Sequence, residues 1–284
     1  MGLFHKLEIK ENVPMRNLTS FKIGGRVRYF VVPKNEEELL MVLNVARELG
    51  VQPFVLGAGT NLLVRDEGVL DLLVIRLGKG FSCVRPLSGG RWEVGAAVGV
   101  DKLIKLDPLS FSLFLGLPGT IGGGLKGNAG VRVGNQFIGI ADICESVRIM
   151  NFSGEIREVR SNELVKGYRY TDISGIILSA VFCVDRMEQW RGYVPARVVV
   201  EGFPNAGCVF KNPSPDVSAG KLIDEMGFKG YRVGDAMVSN IHANFILNVG
   251  KARFSDVIQI IDEIRECAKN KRGIDLELEI KVVQ

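Results

Sequence analysis

Three short segments pair chemically able side chains with constrained backbone. In Gly167-Tyr-Arg-Tyr-Thr171 the guanidinium of Arg169 follows a glycine turn. In Gly207-Cys-Val-Phe-Lys-Asn-Pro213 the thiol of Cys208 leaves a second glycine turn and precedes Lys211 and Asn212. In Leu276-Glu-Leu-Glu-Ile280 the carboxylates of Glu277 and Glu279 share one face if the segment is a strand, because strand side chains alternate. Such groups can bind an anion and move a proton. Each also has a plain structural explanation. Arg169 could serve a surface ion pair, Cys208 could fill a turn, and the two glutamates could line the wet side of an edge strand. Only an arrangement that uses all three displaces those explanations, and spacing alone does not show one.

Two glycine-rich segments add a second kind of chemistry. Gly116-Leu-Pro-Gly-Thr-Ile-Gly-Gly-Gly-Leu-Lys-Gly-Asn-Ala-Gly130 has seven glycines in fifteen residues. That is more than a helix or strand interior tolerates, at roughly 0.5–1 kcal/mol per glycine relative to Ala. The expectation is a loop whose backbone approaches a ligand closely and whose N–H groups cradle an anion such as a pyrophosphate. The alternative is an ordinary surface loop. Upstream, Pro53-Phe-Val-Leu-Gly-Ala-Gly-Thr-Asn-Leu-Leu-Val64 begins like a dinucleotide fingerprint and then fails. Leu62 stands where a third glycine is needed, and Asp66, Glu67 and Gly68 interrupt the following helix. It reads as strand–turn–strand. Two such turns, about sixty residues apart, suit a ligand gripped between two small lobes.

The elements that must hold these groups follow from periodicity. Val27–Val32 reads as a strand, and Asn35–Leu49 as a helix with Asn35 as N-cap. Pro53–Leu56 closes a short β–α–β unit. Strands are expected at Leu72–Leu77, Trp92–Ala96 and Gly175–Val184, a helix start at Asp101–Leu106, and a hairpin at Ser146–Met150 and Glu155–Val159 about the turn Asn151–Gly154. Arg186–Pro204 is irregular and is the candidate boundary. Beyond it come a helix at Ala219–Met226, a strand at Asn244–Asn248, a long amphipathic helix at Phe254–Lys271 with Ser255 near its start, and a final strand at Leu276–Val283.

Composition narrows the class. With 284 residues, 46% hydrophobic and 24% charged, the chain supports one large domain or, more readily, two or three small ones, with ample core. A net charge of +4 from 36 basic and 32 acidic residues, dispersed along the chain, argues against nucleic acid as a partner. No apolar run approaches the roughly 20 residues of a membrane span, and Met1–Lys10 lacks the core of a signal peptide. A cytoplasmic protein with no membrane partner is expected. Five dispersed cysteines (Cys83, Cys144, Cys183, Cys208, Cys267) suit neither a disulfide framework nor a metal site. With only His5 and His242 available, no metal is expected.

The motifs taken in order resemble one family closely. Asn17-Leu-Thr-Ser-Phe-Lys-Ile-Gly-Gly25, Leu56-Gly-Ala-Gly-Thr-Asn-Leu-Leu-Val64, Gly116–Gly123 with Asn128-Ala-Gly130, Gly167-Tyr-Arg169, Ala206–Pro213, Ala219-Gly-Lys-Leu-Ile-Asp224, Ser239-Asn-Ile-His-Ala-Asn-Phe245 and the terminal Leu-Glu-Leu-Glu cover nearly the whole length. They make the chain similar to the UDP-N-acetylenolpyruvoylglucosamine reductases, flavin enzymes of bacterial cell-wall precursor synthesis. The resemblance implies an α+β fold: a two-lobed FAD-binding domain of the vanillyl-alcohol oxidase type over residues 1–186 (lobes of about 1–70 and 71–186). A smaller α+β substrate domain would follow over 187–284, its last strand, 276–283, returning to the active site. FAD is then the cofactor, NADPH the co-substrate and a UDP-sugar enolpyruvyl ether the substrate, with no required protein partner. Hydride goes from NADPH to FAD and then to C3 of the enolpyruvyl group, with a proton to C2.

The same resemblance implies roles for individual residues. Arg169 and Glu279 polarise the substrate carboxylate, and Cys208 donates the proton. FAD contacts fall on Gly57, Ala58, Gly59, Thr60, Asn61 and Leu62 in the first turn. In the second they fall on Gly119, Thr120, Ile121, Gly122 and Gly123, with Asn128, Ala129 and Gly130 beyond. Tyr168, Lys211, Asn212, Arg232, Ser239, His242 and Asn244 are the substrate candidates, although a histidine such as His242 is more often packed in a core. Cys208 departs from the serine usual in the family. The change suits an acid, because a thiol with a pKa near 8.5 is mostly protonated at neutral pH and is more acidic than an alcohol. The short stretch after Arg169 places the chain with the branch lacking a tyrosine-bearing substrate loop, so another group must close the site. The compressed Arg186–Pro204 segment leaves the domain boundary open.

Overall fold

The computed structural model describes residues 6–134, 136–196, 200 and 202–284. The expectations that touch His5 and the start of Met1–Lys10, and those on residues 197–199 and 201 within Arg186–Pro204, lie outside the described residues. By internal contacts the chain divides into two compact units. The first comprises Met1–Glu11, Arg28–Ala58 and Asp71–Ala196, the second Asn12–Val27, Gly59–Leu70 and Arg197–Gln284. Both units are discontinuous in sequence.

A four-stranded sheet belongs chiefly to the first unit. It contains β1 (Lys10–Pro14), β2 (Arg26–Val31), β3 (Gln52–Val55) and β5 (Val69–Ile75) in the order β1-β2-β5-β3. The expected β–α–β unit therefore has a strand inserted: β5 pairs parallel with β3 and separates it from β2. Helix α1 (Glu36–Leu49) connects β2 to β3. Asn35 caps it, its side chain accepting the Glu38 N–H at 2.8 Å, and Gly50 ends it in the left-handed conformation. Leu39, Val42, Leu43 and Ala46 of α1 pack with Leu73, Ile75, Ile176 and Leu178 in one buried cluster.

The second sheet of this unit has five strands, β6 (Val84–Leu87), β7 (Arg91–Gly95), β10 (Cys144–Met150), β11 (Ile156–Arg160) and β14 (Ile176–Cys183), ordered β11-β10-β14-β7-β6 and antiparallel throughout. The β10–β11 hairpin turns where expected, with Asn151 Oδ1 accepting the N–H groups of Ser153 and Glu155. Helix α2 (Val100–Leu106) and the fully buried Phe111, Phe114 and Phe182 fill the core beside this sheet. Two small hairpins complete the unit: β8 (Gly130–Val133) with β9 (Gln136–Gly139), and β12 (Lys166–Gly167) with β13 (Tyr170–Thr171).

The glycine-rich segment is not wholly a loop. Ile121–Lys126 forms helix α3, capped by the Thr120 side chain on the Gly123 N–H. Gly122 answers a packing requirement: a Cβ there would come within 3.0 Å of Ala96 Cβ and 3.2 Å of Ala96 O. One on Gly124 would make only ordinary contact, 3.5 Å from Ile140 in the short helix α4 (Ile140–Ile143). Tertiary contact thus overrides poor helix propensity.

The second unit is built on β15 (Asn205–Cys208), β16 (Arg232–Val233), β17 (Ala236–Val238) and β18 (Phe245–Asn248), ordered β15-β18-β17-β16. Helices α5 (Ala219–Glu225) and α6 (Phe254–Arg272) cover it. Ser218 caps α5. At α6 the carboxylate of Asp256, rather than Ser255, accepts the Arg253 N–H. The chain ends in β19 (Lys281–Val283), parallel to β4 (Leu62–Val64). The expected continuous strand Leu276–Val283 is broken in two. Leu278 bridges Phe210, then a bend at Glu279–Ile280 carries the chain to a different partner, β4.

Candidate active site

In the second unit three distant segments meet around Cys208. Gly207 takes φ +79°, a conformation that favours glycine, and Asn205 Oδ1 accepts its N–H. Cys208 pairs with Phe245 on β18, across a register shift that bends the strand at the thiol. Asn244 fixes the next two residues. Its amide donates to Phe210 O at 2.8 Å and accepts the Phe210 N–H at 2.9 Å, while its own carbonyl takes the Val209 N–H. The last segment lies alongside: Glu279 N–H donates to Val209 O at 2.8 Å, and Lys211 N–H donates to Glu277 O. The Lys211 ammonium lies 3.1 Å from a Glu277 carboxylate oxygen. Cys208, Lys211 and Glu279 are therefore held by one short hydrogen-bonded ladder, although 71 residues separate Cys208 from Glu279 (279 − 208).

Two residues of the first glycine turn extend this ladder. Asn61 donates from Nδ2 to Glu279 O at 3.0 Å and accepts the Lys281 N–H on its own carbonyl at 2.9 Å. Gly59, at φ +70°, sits where a Cβ would strike Leu18 O. Ser20 donates to Asn205 O at 2.7 Å and, through its backbone N–H, to Gly59 O at 3.0 Å, tying the first turn to the start of β15. Sequence reasoning misses Ser20. Its partners lie 39 and 185 residues away, which no local pattern shows.

The other candidates of this unit take varied places. Ser239 is buried, and its hydroxyl accepts the N–H groups of Ile241 and His242. His242 is half-buried, accepts the Asn244 N–H on Nδ1 and lies edge-on to Phe245. Burial pushes its pKa below the ordinary 6.5 and keeps the imidazole neutral. Asn212 accepts the Ala219 N–H at the start of α5. Arg232 is exposed and bound to Asp235 and Gly234 O.

In the first unit the two glycine turns adjoin. A Cβ on Gly57 would come within 2.8 Å of Thr120 Oγ1 and 3.9 Å of Gly123 Cα. The N–H groups of Ile121, Gly122, Gly123 and Gly124 are bound to Val98 O, Ala96 O, Thr120 Oγ1 and Thr120 O, so they do not form the expected row of free donors. What Gly57 and Gly123 present instead is backbone without side-chain bulk on either side of the Thr120 hydroxyl, which fits the close approach of a flat ring system or a pyrophosphate. Gly123 is exposed, and a Cβ there would touch only Thr120 Oγ1, at 3.4 Å.

Arg169 occupies the turn between β12 and β13 at φ +57°. A non-glycine residue in that region costs of order 1 kcal/mol. Backbone strain of this kind is kept where a particular side chain is needed. The guanidinium donates to Gly130 O at 3.3 Å and lies over the rings of Tyr168 (5.1 Å) and Phe137 (5.5 Å). The buried Asn128 supports the turn by donating to Gly167 O at 2.9 Å while accepting the Ala141 N–H. Ala129 donates to Gly124 O and accepts the Ile140 N–H, linking this region to α3.

Among the described residues no cluster of three or more His, Cys, Asp or Glu could hold a metal, and no helix is long and apolar enough to cross a membrane.

Comparison with known proteins places these features in context. Residues 199–283 match the family model for the C-terminal domain of UDP-N-acetylenolpyruvoylglucosamine reductase, and residues 27–160 match an FAD binding domain. A UDP-N-acetylenolpyruvoylglucosamine reductase of Desulforamulus reducens is 34% identical over 98% of this chain and 94% of its own length. One from Geobacter metallireducens is 37% identical over 97% and 94%. The crystal structure of the Thermus caldophilus enzyme superposes with a TM-score of 0.75 at 34% identity, covering 96% of this chain and 98% of that one.

Proposed function

Because the chain belongs to the UDP-N-acetylenolpyruvoylglucosamine reductase family, we propose that it reduces the enolpyruvyl ether of UDP-N-acetylglucosamine to UDP-N-acetylmuramate, with FAD as cofactor and NADPH as reductant. The observation that carries the reading to this chain's residues is the ladder joining Cys208, Val209 and Glu279, which puts a thiol and a carboxylate on adjacent, rigidly held backbone. When bound, FAD supplies the hydride that reaches C3 of the enolpyruvyl group. Cys208 delivers a proton from Sγ to C2. Arg169 offers its guanidinium N–H groups to the substrate carboxylate and, together with Glu279, polarises it. Lys211 and Arg232 provide positive charge for the diphosphate.

Residues 1–186 are assigned to the flavin and 187–284 to the nucleotide sugar. The turn Gly57–Leu62 serves the flavin although its two ends fall in different compact units. Asn244 and Ser239 act through the backbone they hold, and Asn212 does the same at α5. The enzyme works in the cytoplasm and needs no protein partner. Anaerobic titration tests the reaction. NADPH should bleach the visible flavin band, and the enolpyruvyl substrate should restore it. A flavin that NADPH reduces but that this substrate fails to reoxidise would reject the assignment.

A further inference from the structure

The core of the first unit does not account for the placement of Phe137. It lies on β9, where side chains alternate: Val131 and Ile138 enter the core of the first unit, while Phe137 faces Arg132 on the opposite side and is only half-buried. A phenyl ring at that position gains little from burial. What it does contact is specific. Its ring meets Tyr168 edge-to-face, with centroids 5.1 Å apart at 90°, and the Arg169 guanidinium carbon lies 5.5 Å from its centroid. Gly130, whose carbonyl takes an N–H from Arg169, pairs with Gly139 on the same hairpin. The hairpin β8–β9 thus offers Arg169 a hydrogen-bond acceptor, Gly130 O, and an aromatic face, Phe137.

We propose that Phe137 is a positioning residue for the active site: with Tyr168 it holds the Arg169 guanidinium in a fixed plane, ready for a substrate carboxylate. The inference rests on the reading of Arg169 as the carboxylate ligand. Arg169 sits on a two-residue turn in strained backbone, so its long side chain needs an external guide. A ring face attracts the cation without consuming its N–H groups. Two such faces therefore set the orientation of the planar fork before substrate arrives, which suits a bidentate contact with an anion.

Two measurements test this, and one does not depend on activity. In a double-mutant cycle followed by urea unfolding, Phe137→Leu and Arg169→Gln should be non-additive, the double variant losing less in midpoint than the sum of the single losses. Additive losses would overturn the proposal whatever reaction the protein catalyses. In stopped flow, Phe137→Leu should slow flavin reoxidation by the enolpyruvyl substrate about three- to tenfold, the range expected for losing one cation–π contact. It should also raise KM for that substrate and leave bleaching by NADPH unchanged. Phe137→Tyr, which keeps the ring, should restore both values. If Phe137→Leu and Phe137→Tyr behave alike, or if both half-reactions fall together, Phe137 merely supports the hairpin. Should the parental flavin fail to be reoxidised by this substrate while the cycle still shows coupling, the functional reading falls and the contact between Phe137 and Arg169 stands.

Discussion

The two most informative thiols sit in opposite environments, and their behaviour should differ accordingly. Cys208 follows the left-handed Gly207 in a strand distorted at that point, one residue before the backbone that binds Glu279. If Cys208 is the acid for C2, its loss should cost the 10²–10⁴-fold typical of a positioned proton donor. Cys208→Ala should therefore turn over that much more slowly, with flavin content and bleaching by NADPH unaltered. Cys208→Ser should recover much of the rate. Parental turnover in Cys208→Ala would assign the proton to water or another group. Cys144 is fully buried in the core of the first unit, and burial pushes its thiol up to about 12. Its raised value favours the protonated thiol in the folded state. The associated stability is complete below the ordinary thiol value and is lost as pH rises from there toward 12. Stability measured between pH 8 and 11 should thus fall less in Cys144→Ala than in the parent; identical slopes would contradict the burial argument. A thiol reagent at neutral pH should label the exposed Cys83 and spare Cys144 until the protein unfolds.

Single elements show why some of the design was legible in sequence and some was not. Helix α1 and the β10–β11 hairpin carry local signals, an N-cap asparagine and an Asn-Phe-Ser-Gly turn, and both form as the pattern indicates. The glycine-rich segment misleads because propensity is local while its cause is not. Gly122 is glycine because Ala96, 26 residues earlier (122 − 96), presses against it. The final segment misleads for a similar reason: alternation predicts one strand, whereas two different partners, Phe210 and Leu62–Val64, divide it. The candidate site residues, Asn244 among them, are legible as residue types; Ser20 and Phe137 are not, because their partners lie far along the chain. The distinction has a test within α3. Gly122→Val must displace Ala96 and should destabilise by about 1–3 kcal/mol, the usual range for overpacking. Gly123→Val meets only Thr120 Oγ1, so it should fold with nearly parental stability yet bind flavin poorly, because the new side chain covers the bare surface beside Gly57. A folded Gly123→Val protein with full yellow colour would remove that surface from the flavin site.

At the scale of the whole chain, the match to a C-terminal domain over residues 199–283 suggests a portable module, and the packing argues otherwise. The hydrophobic core of the second unit contains Phe21, Ile23 and Leu63 together with residues from Ala206 to Ile280. All three are essentially without solvent exposure. Burying such side chains contributes about 1.5–3 kcal/mol each, and a domain's whole stability is about 5–15 kcal/mol. Removing three of them therefore consumes much or all of the margin. The loss is also topological, since β19 pairs with β4 and Phe254 N–H donates to Asp66. Asn248 further donates from its amide to Phe21 O. A fragment comprising residues 197–284 should thus lack a cooperative urea transition and be cut rapidly by protease, although it holds Cys208, Lys211 and Glu279. Supplying residues 12–27 and 59–70 through short linkers should restore cooperative unfolding. A fragment of residues 197–284 that unfolds in one sharp transition by itself would show that the N-terminal segments merely decorate an autonomous domain, and Asn61 would then have to reach Glu279 as a ligand rather than as part of its fold.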